Sequence, residues 1–302
     1  MSEQTTLKTW AVQVRAPFLV LSLLLAAIGG AVALRDGVFH AGRLTLAALG
    51  LLLAHVSVNL LNELSDHATR IDEHTRRTPF SGGSGTLQAG LLSRRKVAIA
   101  AWASLGLALA IGLYLSWVAG WLILAFAIAG GLGSVLYTRQ LTRWGIGELV
   151  AGLCLGSLAV IGCYYAQASS LPAHVVLLSA PPGVLTALLL FLNEFPDVQA
   201  DRQGGRRHLV IRLGYQRAAW LYAAGLVATY GLIIFGVATA RFPLAALLAL
   251  LTVPLGIRSA KIALRHGAEH EPMVPALAGN VALVLGTDAL LAVAFVVDRA
   301  MA

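Results

Sequence analysis

Residues 51–66 read LLLAHVSVNLLNELSD, an apolar run that carries polar side chains at regular intervals and ends in acids. The polar positions follow one another at steps of four, three and four residues, so they share one face of an α-helix: His55, Asn59, Asn62 and Asp66. One reading is that such side chains only hydrogen-bond neighbouring helices together. Polar residues at membrane depth more often mark a site or pathway inside a bundle, and the acidic end of the stripe favours that reading.

The end of this stretch recurs 131 residues later, as LNELSD at 61–66 and LNEFPD at 192–197. In both copies an apolar run gives way to a basic segment that contains glycine. These two segments hold seven of the fourteen acidic residues: Glu63, Asp66, Asp72, Glu73, Glu194, Asp197 and Asp201. Only 12% of the chain is charged, so this concentration predicts one functional site to which both copies contribute.

The composition indicates a membrane protein, because 58% hydrophobic residues and a mean hydropathy of +0.78 lie far outside the range of soluble domains. Nine apolar runs approach the roughly 20 residues that cross a bilayer: 16–34, 43–65, 96–117, 118–137, 147–168, 173–194, 217–239, 242–260 and 274–297. We therefore expect an all-α polytopic membrane protein, with nine transmembrane helices around a central cavity and a single domain over residues 1–302.

The net charge of +8 would suit nucleic acid, but its distribution argues for a membrane orientation instead. With nine spans, 18 of the 22 Lys and Arg residues fall on the side that holds the N-terminus, and an even number of spans would remove this bias. The positive-inside rule then predicts a cytoplasmic N-terminus, in a multi-pass protein of the cell inner membrane. The first apolar run resembles a signal peptide, but the charge count requires it as a span. We expect the lipid bilayer, and no nucleic acid, as a partner.

Both motif copies then lie at cytoplasmic ends, of spans two and six. Asn193, Asp197 and Asp201 form one helical row if the helix continues past Pro196; otherwise the segment is two short helices with a break. The first copy has its next acid, Asp72, six residues after Asp66. We therefore expect the second copy to be the more rigid half, and the loop after the first to close over a substrate.

That loop, from Thr69 to Arg95, combines the adjacent Arg76 and Arg77 with the run GGSG at 82–85. A glycine-serine run is either a flexible tether or an anion cradle made of backbone N–H groups. His67 and His74 would allow zinc, but no cysteine and no helical pair of histidines four residues apart accompanies them, which disfavours zinc.

Two acidic clusters flanked by arginines at one membrane face suit a diphosphate. Carboxylates hold a diphosphate only through divalent cations, and oxygen ligands favour Mg²⁺. Arginines neutralise the remaining charge, and a polyprenyl tail would lie in the apolar bundle or the lipid. Mg²⁺ and arginine would assist departure of the diphosphate from an allylic carbon. A transporter is the rival from another class, but carrier sites usually lie near the bilayer midplane rather than at one rim.

The motifs resemble those of the UbiA-type intramembrane prenyltransferases over nearly the whole chain. The resemblance rests on Asn62-x-x-x-Asp66 with Asp72, and on Asp197-x-x-x-Asp201 followed by GRRHLVIRLG at 205–214. Within the family, three segments look most like the 1,4-dihydroxy-2-naphthoate polyprenyltransferases of menaquinone synthesis: PFSGGS at 79–84, GIGE at 145–148 and GCYYAQ at 162–167. The chain departs from the family pattern at Glu63, where Asp is common, and at His208, where Thr is frequent.

The resemblance implies Mg²⁺-dependent transfer of a polyprenyl group from an allylic diphosphate to an aromatic acceptor. It implies four catalytic, metal-binding acids: Asp66, Asp72, Asp197 and Asp201. It also implies a set of substrate-binding residues: Asn62, Arg76, Arg77, Tyr137, Glu148, Asn193, Arg206 and Arg207. The expected acceptor is 1,4-dihydroxy-2-naphthoate, and 4-hydroxybenzoate or another phenol is the alternative.

Overall fold

The structure is a computed structural model that describes residues 3–69, 71, 75–136 and 140–301. Every regular element in these ranges is helical. In chain order the helices are α1 (Glu3–Gln13), α2 (Ala16–Arg35), α3 (Ala41–Thr69), α4 (Arg94–Ala119), α5 (Leu122–Leu136), α6 (Thr142–Trp144), α7 (Gly147–Ala168), α8 (Ala173–Asn193), α9 (Val198–Gln203), α10 (Leu209–Leu213), α11 (Tyr215–Ala238), α12 (Leu244–His266) and α13 (His270–Met301).

Eight of these helices are long and apolar enough to cross a membrane, namely α2, α3, α4, α7, α8, α11, α12 and α13. The protein is therefore an all-α, multi-pass membrane protein, as the composition predicts. The remaining apolar helix, α5, has 15 described residues, which at 1.5 Å per residue reach about 22 Å. Residues 137–139 follow it outside the described ranges, so the count of nine spans stays a prediction.

The buried core lies among α2, α7, α8, α11 and α13. Its fully buried members include Leu25 and Ile28 of α2, Leu185 of α8, Tyr222 of α11 and Leu277 of α13. Large apolar side chains on the outer faces, by contrast, remain exposed to the surroundings of the bundle. This pattern is expected where the surrounding solvent is lipid, since lipid tails are as apolar as the core.

Helices α7 and α8 cross closely because glycines remove the side chains at their contact. A Cβ on Gly152 would lie 2.5 Å from the carbonyl oxygen of Gly183, and a Cβ on Gly156 would lie 2.6 Å from the Gly183 Cα. The stretch Gly152–Ser157 is a π-helical turn within α7. Small residues four apart are a common way for membrane helices to approach.

The second motif contains a helix break. Helix α8 ends at Asn193, turns follow, and α9 begins at Val198. Pro196 lies in the break, where it has no N–H to donate and its ring opposes a continuous helix. Of the two arrangements that the sequence allowed, the structure has two helices with a break, although the backbone N–H of Asp201 still donates to the carbonyl of Asp197 at 2.9 Å.

Candidate active site

The two motif copies meet through Arg206. Its Nη1 donates to Oδ1 of Asp201 at 2.8 Å, and its Nη2 forms an ion pair with Oδ1 of Asp66. The same Nη2 lies 3.5 Å from Oδ1 of Asn62. Asp66 and Asp201 are 6% and 3% exposed, so a cationic group lies between two buried carboxylates that belong to different copies.

Asn193 and Asp197 complete the second copy with oxygens that no described residue satisfies. Oδ1 of Asn193 and Oδ1 of Asp197 are buried and have no hydrogen-bond partner among the described residues. Burial, followed by the nearby Asp201, raises the pKa of Asp197 to about 7. Burial also acts to raise the pKa of Asp201, but Arg206 and His208 outweigh it and leave that pKa below its ordinary value.

The glycine-serine loop, residues 82–85, lies against both copies of the motif. The backbone N–H and the hydroxyl of Ser84 donate to the two carboxylate oxygens of Glu63, at 2.7 and 2.6 Å. The backbone of Gly82 lies near the Asp197 carboxylate and acts to lower its pKa, against the larger effect of burial. Gly82 and Gly85 have φ of 84° and 73°, a conformation that other residues adopt only with strain. The loop is thus folded onto the acidic site rather than extended as a free tether.

A cavity of about 320 Å³ runs from this site into the bundle. Its polar end carries Arg15, Asn59, Asn62 and Asn193, and its remaining walls are mostly apolar side chains of α3, α4, α5, α7 and α8. The polar stripe on α3 therefore faces inward, as its spacing predicts. His55 also lines this cavity, and its Nδ1 lies 2.8 Å from the Ser22 hydroxyl.

Arg15 is a cavity residue that the sequence analysis missed. It lies between α1 and α2 with φ 55°, and its Nε is 3.9 Å from Oε1 of Glu63. Its charge also lowers the pKa of Asp197, against the larger effect of burial. In the sequence it is only one of many arginines on the predicted cytoplasmic side. The available signal was its place at the start of an apolar span, on the same side as both motifs.

Comparison with known proteins agrees with this arrangement: residues 22–295 match the UbiA prenyltransferase family. The chain belongs to that family. It is 30% identical over 256 residues to a 1,4-dihydroxy-2-naphthoate octaprenyltransferase of Mycobacterium tuberculosis, covering 83% of this chain and 84% of that one. It is 28% identical over 310 residues to the Escherichia coli protein of the same name, with 95% and 97% covered.

Solved structures of UbiA homologues share the fold. The apo structure of a homologue from Aeropyrum pernix K1 has a TM-score of 0.72 at 20% identity, and covers 93% of this chain and 98% of that one. A homologue from Archaeoglobus fulgidus bound to GPP and Mg²⁺ has a TM-score of 0.65 at 15% identity, with 97% and 98% covered. The chain is thus a member of an enzyme family whose reaction is prenyl transfer.

The residues at this UbiA-family site fit a hard divalent cation. The donors are oxygens of Asp66, Asp197, Asp201, Asn62 and Asn193, and Mg²⁺ prefers oxygen ligands. The orphaned Oδ1 atoms of Asn193 and Asp197 have acceptor capacity that no described residue uses. Two carboxylates already hold a guanidinium between them, which shows that the position favours positive charge.

Other predicted residues lie in different surroundings. Arg76 is exposed at a second cavity of about 290 Å³, with Phe195, Tyr215 and His270 in its walls. Arg77 covers Gly85, where a Cβ would come within 2.6 Å of the Arg77 Cζ. The roles of both arginines as phosphate ligands stay predictions.

Arg207 and Glu148 lie near the site, but the structure describes no hydrogen bond or ion pair between their side chains and Arg206. The Arg207 side chain is exposed, while its backbone N–H donates to the carbonyl of Thr142 at 3.2 Å. Glu148 is 2% exposed, and its Oε1 accepts the backbone N–H of Leu209 at 2.7 Å. The contacts of Arg207 and Glu148 with substrate stay predictions. Two further predicted site residues, Asp72 and Tyr137, lie outside the described residues.

His208 and Glu194 form a second group that the sequence analysis did not assign. The imidazole is 1% exposed, with Nε2 3.3 Å from Oδ2 of Asp201 and Nδ1 3.2 Å from Oε2 of Glu194. Burial, followed by the neighbouring Glu148, raises the pKa of Glu194 well above its ordinary value. This group is not evident from the sequence, because Glu148, which also lies beside Glu194, is 60 residues away from His208.

Proposed function

We propose that the chain transfers a polyprenyl group from an allylic diphosphate to 1,4-dihydroxy-2-naphthoate, in a Mg²⁺-dependent step of menaquinone biosynthesis. The observation that carries the proposal is the bridge from Asp66 through Arg206 to Asp201. It joins two acidic motifs from distant parts of the chain beside the polar end of an apolar cavity. A diphosphate with an apolar tail matches both halves of this arrangement.

The acids and amides of the two motifs would hold the cation. Asp66, Asp197 and Asp201 supply carboxylates, and Asn62 and Asn193 supply amide oxygens. The family resemblance adds Asp72 to this set. Bound Mg²⁺ would neutralise the diphosphate and stabilise it as a leaving group. The A. fulgidus homologue, which shares the fold, is bound to GPP and Mg²⁺, the same kinds of ligand that we propose for this site.

Two guanidinium groups are placed to bind the diphosphate oxygens. Arg206 lies between the motifs with its planar fork aimed at oxygen atoms, and Arg15 lines the polar end of the cavity. Charge that develops on the departing diphosphate is stabilised by donors fixed in advance, because such donors need no reorganisation during the reaction. The apolar walls beyond them suit the tail and keep water from the allylic carbon.

The acceptor assignment is supported by the named relatives. The M. tuberculosis and E. coli proteins are 1,4-dihydroxy-2-naphthoate octaprenyltransferases, and each alignment covers more than four fifths of both chains. A 2-carboxy-1,4-naphthoquinone phytyltransferase of Synechocystis is 26% identical over 262 residues. Bicyclic aromatic acceptors are common to these names, whereas the length of the prenyl tail differs between them.

The test is an assay of the purified full-length chain in lipid nanodiscs with geranylgeranyl diphosphate. Parallel reactions contain 1,4-dihydroxy-2-naphthoate, 4-hydroxybenzoate or no acceptor, each with Mg²⁺ or with EDTA, followed by mass analysis of the lipid extract. We expect a prenylated naphthalene product only with Mg²⁺. If product forms with 4-hydroxybenzoate and not with 1,4-dihydroxy-2-naphthoate, the acceptor assignment is wrong. Movement of substrate into liposomes without any product would instead favour a transporter.

We further propose that the N-terminus lies in the cytoplasm, in the cell inner membrane, so that the acidic site opens toward cytoplasmic substrates. The excess of Lys and Arg on the N-terminal side supports this orientation. An epitope placed before Met1 should resist protease added outside spheroplasts and become cleavable only after lysis. Cleavage in intact spheroplasts would reverse the orientation.

A further inference from the structure

Glu148, Glu194 and His208 converge beside the site described above. One ligand-type atom from each lies within 4.8 Å of the others, although the three residues come from three separate segments. They are 2%, 8% and 1% exposed. A buried group of two carboxylates and an imidazole needs either a bound cation or a proton shared between the carboxylates, since unpaired buried charges are strongly unfavourable.

The contacts within the group differ from ordinary hydrogen bonds. Nδ1 of His208 is 3.2 Å from Oε2 of Glu194, yet neither atom has a hydrogen-bond partner among the described residues. Oε2 of Glu148 is buried and equally without one in the described ranges. Two ligands of one ion, each about 2.1 Å from it, lie roughly 3.0–3.4 Å apart and point at the ion rather than at each other. The pair formed by His208 and Glu194 has this separation, and a ligand-type atom of Glu148 lies within 4.8 Å of one from each of the other two residues.

Outer contacts orient two of the three side chains. Glu148 accepts the backbone N–H of Leu209 at Oε1, at 2.7 Å, and its Oε2 has no hydrogen-bond partner among the described residues. His208 has Nε2 at an ion-pair distance of 3.3 Å from Oδ2 of Asp201, without a hydrogen bond among the described residues, while Nδ1 lies next to Glu194. A metal-bound histidine usually has a carboxylate beside its second nitrogen, and ligating carboxylates are held by further hydrogen bonds.

We propose that Glu148, Glu194 and His208 bind a divalent transition-metal ion of the Zn²⁺ type. The imidazole distinguishes this site from the Mg²⁺ site, because Mg²⁺ prefers oxygen ligands whereas Zn²⁺ accepts imidazole and carboxylate together. Three protein ligands leave room for a water molecule as the fourth. The contact between His208 and Asp201 connects the two sites, so an ion here orients an acid of the prenyl-transfer site.

The test measures metal content rather than activity. The full-length protein in detergent is stripped with chelator, dialysed against micromolar Zn²⁺ in millimolar Mg²⁺, and analysed by mass spectrometry for zinc per chain. We expect about one equivalent in the wild type and in Asp66→Asn, which changes only the neighbouring Mg²⁺ site. Glu194→Gln and His208→Asn should bind zinc at least about tenfold more weakly. Titration with Co²⁺ adds a visible absorption band whose intensity distinguishes a four-coordinate site from the hydrated ion.

Glu194→Gln keeps the size of the side chain, so it decides the outcome if His208→Asn fails to elute as a single species in size-exclusion chromatography. The proposal is overturned if the wild type holds no more zinc than Glu194→Gln, which would mean that the two glutamates share a proton instead. It is also overturned if Asp66→Asn loses the zinc while Glu194→Gln retains it. Because zinc content is the readout, a failure of the prenyl-transfer assay leaves this result unaffected.

Discussion

Arg206 forms an ion pair with Asp66, a residue 140 positions earlier in the chain. Its second terminal nitrogen contacts Asp201, which is only five positions away. Buried ion pairs contribute little net stability, because desolvation of both charges offsets their attraction. The bridge is therefore better explained by a functional need for positive charge between the two motifs than by stabilisation of the fold.

Replacement of Arg206 tests whether this bridge serves prenyl transfer. We expect Arg206→Gln to lower kcat/KM for the allylic diphosphate by about 100-fold or more, since it removes roughly 3 kcal/mol of charge stabilisation. Arg207→Gln is the matched control, because its side chain is exposed and next in sequence. We expect a loss of less than about tenfold there. Equal losses in the two variants would contradict the special placement of Arg206.

Glu63 anchors the glycine-serine loop to α3, since its two carboxylate oxygens accept from the N–H and hydroxyl of Ser84. Glu63→Gln should weaken this anchor by about 1–3 kcal/mol. Limited proteolysis between Thr69 and Arg95 should then become faster, and Ser84→Ala should give a smaller increase because the backbone donor remains. Mg²⁺ with diphosphate should slow cleavage of the wild type. Identical cleavage in all of these samples would show that the loop neither depends on Glu63 nor closes over substrate.

The crossing of α7 and α8 depends on glycine. Gly152→Ala would place a Cβ 2.5 Å from the carbonyl oxygen of Gly183, a backbone atom that cannot move aside cheaply. We expect a loss of about 1–3 kcal/mol, seen as a lower unfolding temperature in detergent. Gly106→Ala on α4 meets nothing within 4 Å and serves as the control. Equal unfolding temperatures for the two variants would rule out a tight crossing.

The cavity should limit the length of the prenyl tail that binds. Gly162 lines it, and a Cβ there would meet only Phe126, at 3.7 Å. Gly162→Leu should therefore fold normally and extend its side chain into the cavity. We expect KM for geranylgeranyl diphosphate to rise by about tenfold, and KM for dimethylallyl diphosphate to change little. Gly231→Leu, at a position with open space on α11, is the control. A uniform change for both substrates would place the tail elsewhere.

Hydropathy and spacing predicted the features that depend on one segment at a time. The long apolar helices follow from their composition, and the inward face of α3 follows from the spacing of His55, Asn59 and Asn62. The repeated motif also predicted that Asp66 and Asp201 would share a site. A local pattern suffices in these cases because a segment that crosses the bilayer must satisfy its own backbone hydrogen bonds and is therefore helical. The spacing of polar residues then determines which face of that helix turns inward.

Features that depend on several segments were not predictable in this way. Arg15 enters the site because the chain turns between α1 and α2, and one arginine among many carries no sign of that turn. Glu148 and His208 approach each other only after α7 and α10 have packed. The break at Pro196 was one of two arrangements consistent with the sequence, since a proline either kinks a helix that continues past it or ends the helix.

The most direct test of the metal-diphosphate site is calorimetric binding of an unreactive allylic thiodiphosphate to the purified chain. The comparison includes the wild type, Asp66→Ala, Asp197→Ala and Asp298→Asn, the last of which breaks an ion pair with Arg35. We expect the wild type and Asp298→Asn to bind the thiodiphosphate only when Mg²⁺ is present. Asp66→Ala and Asp197→Ala should not bind it under either condition. Both of these variants should also lose prenyl transfer while remaining folded. Binding of equal strength in EDTA, or undiminished binding by Asp66→Ala or Asp197→Ala, would contradict a Mg²⁺-dependent diphosphate site at the two motifs.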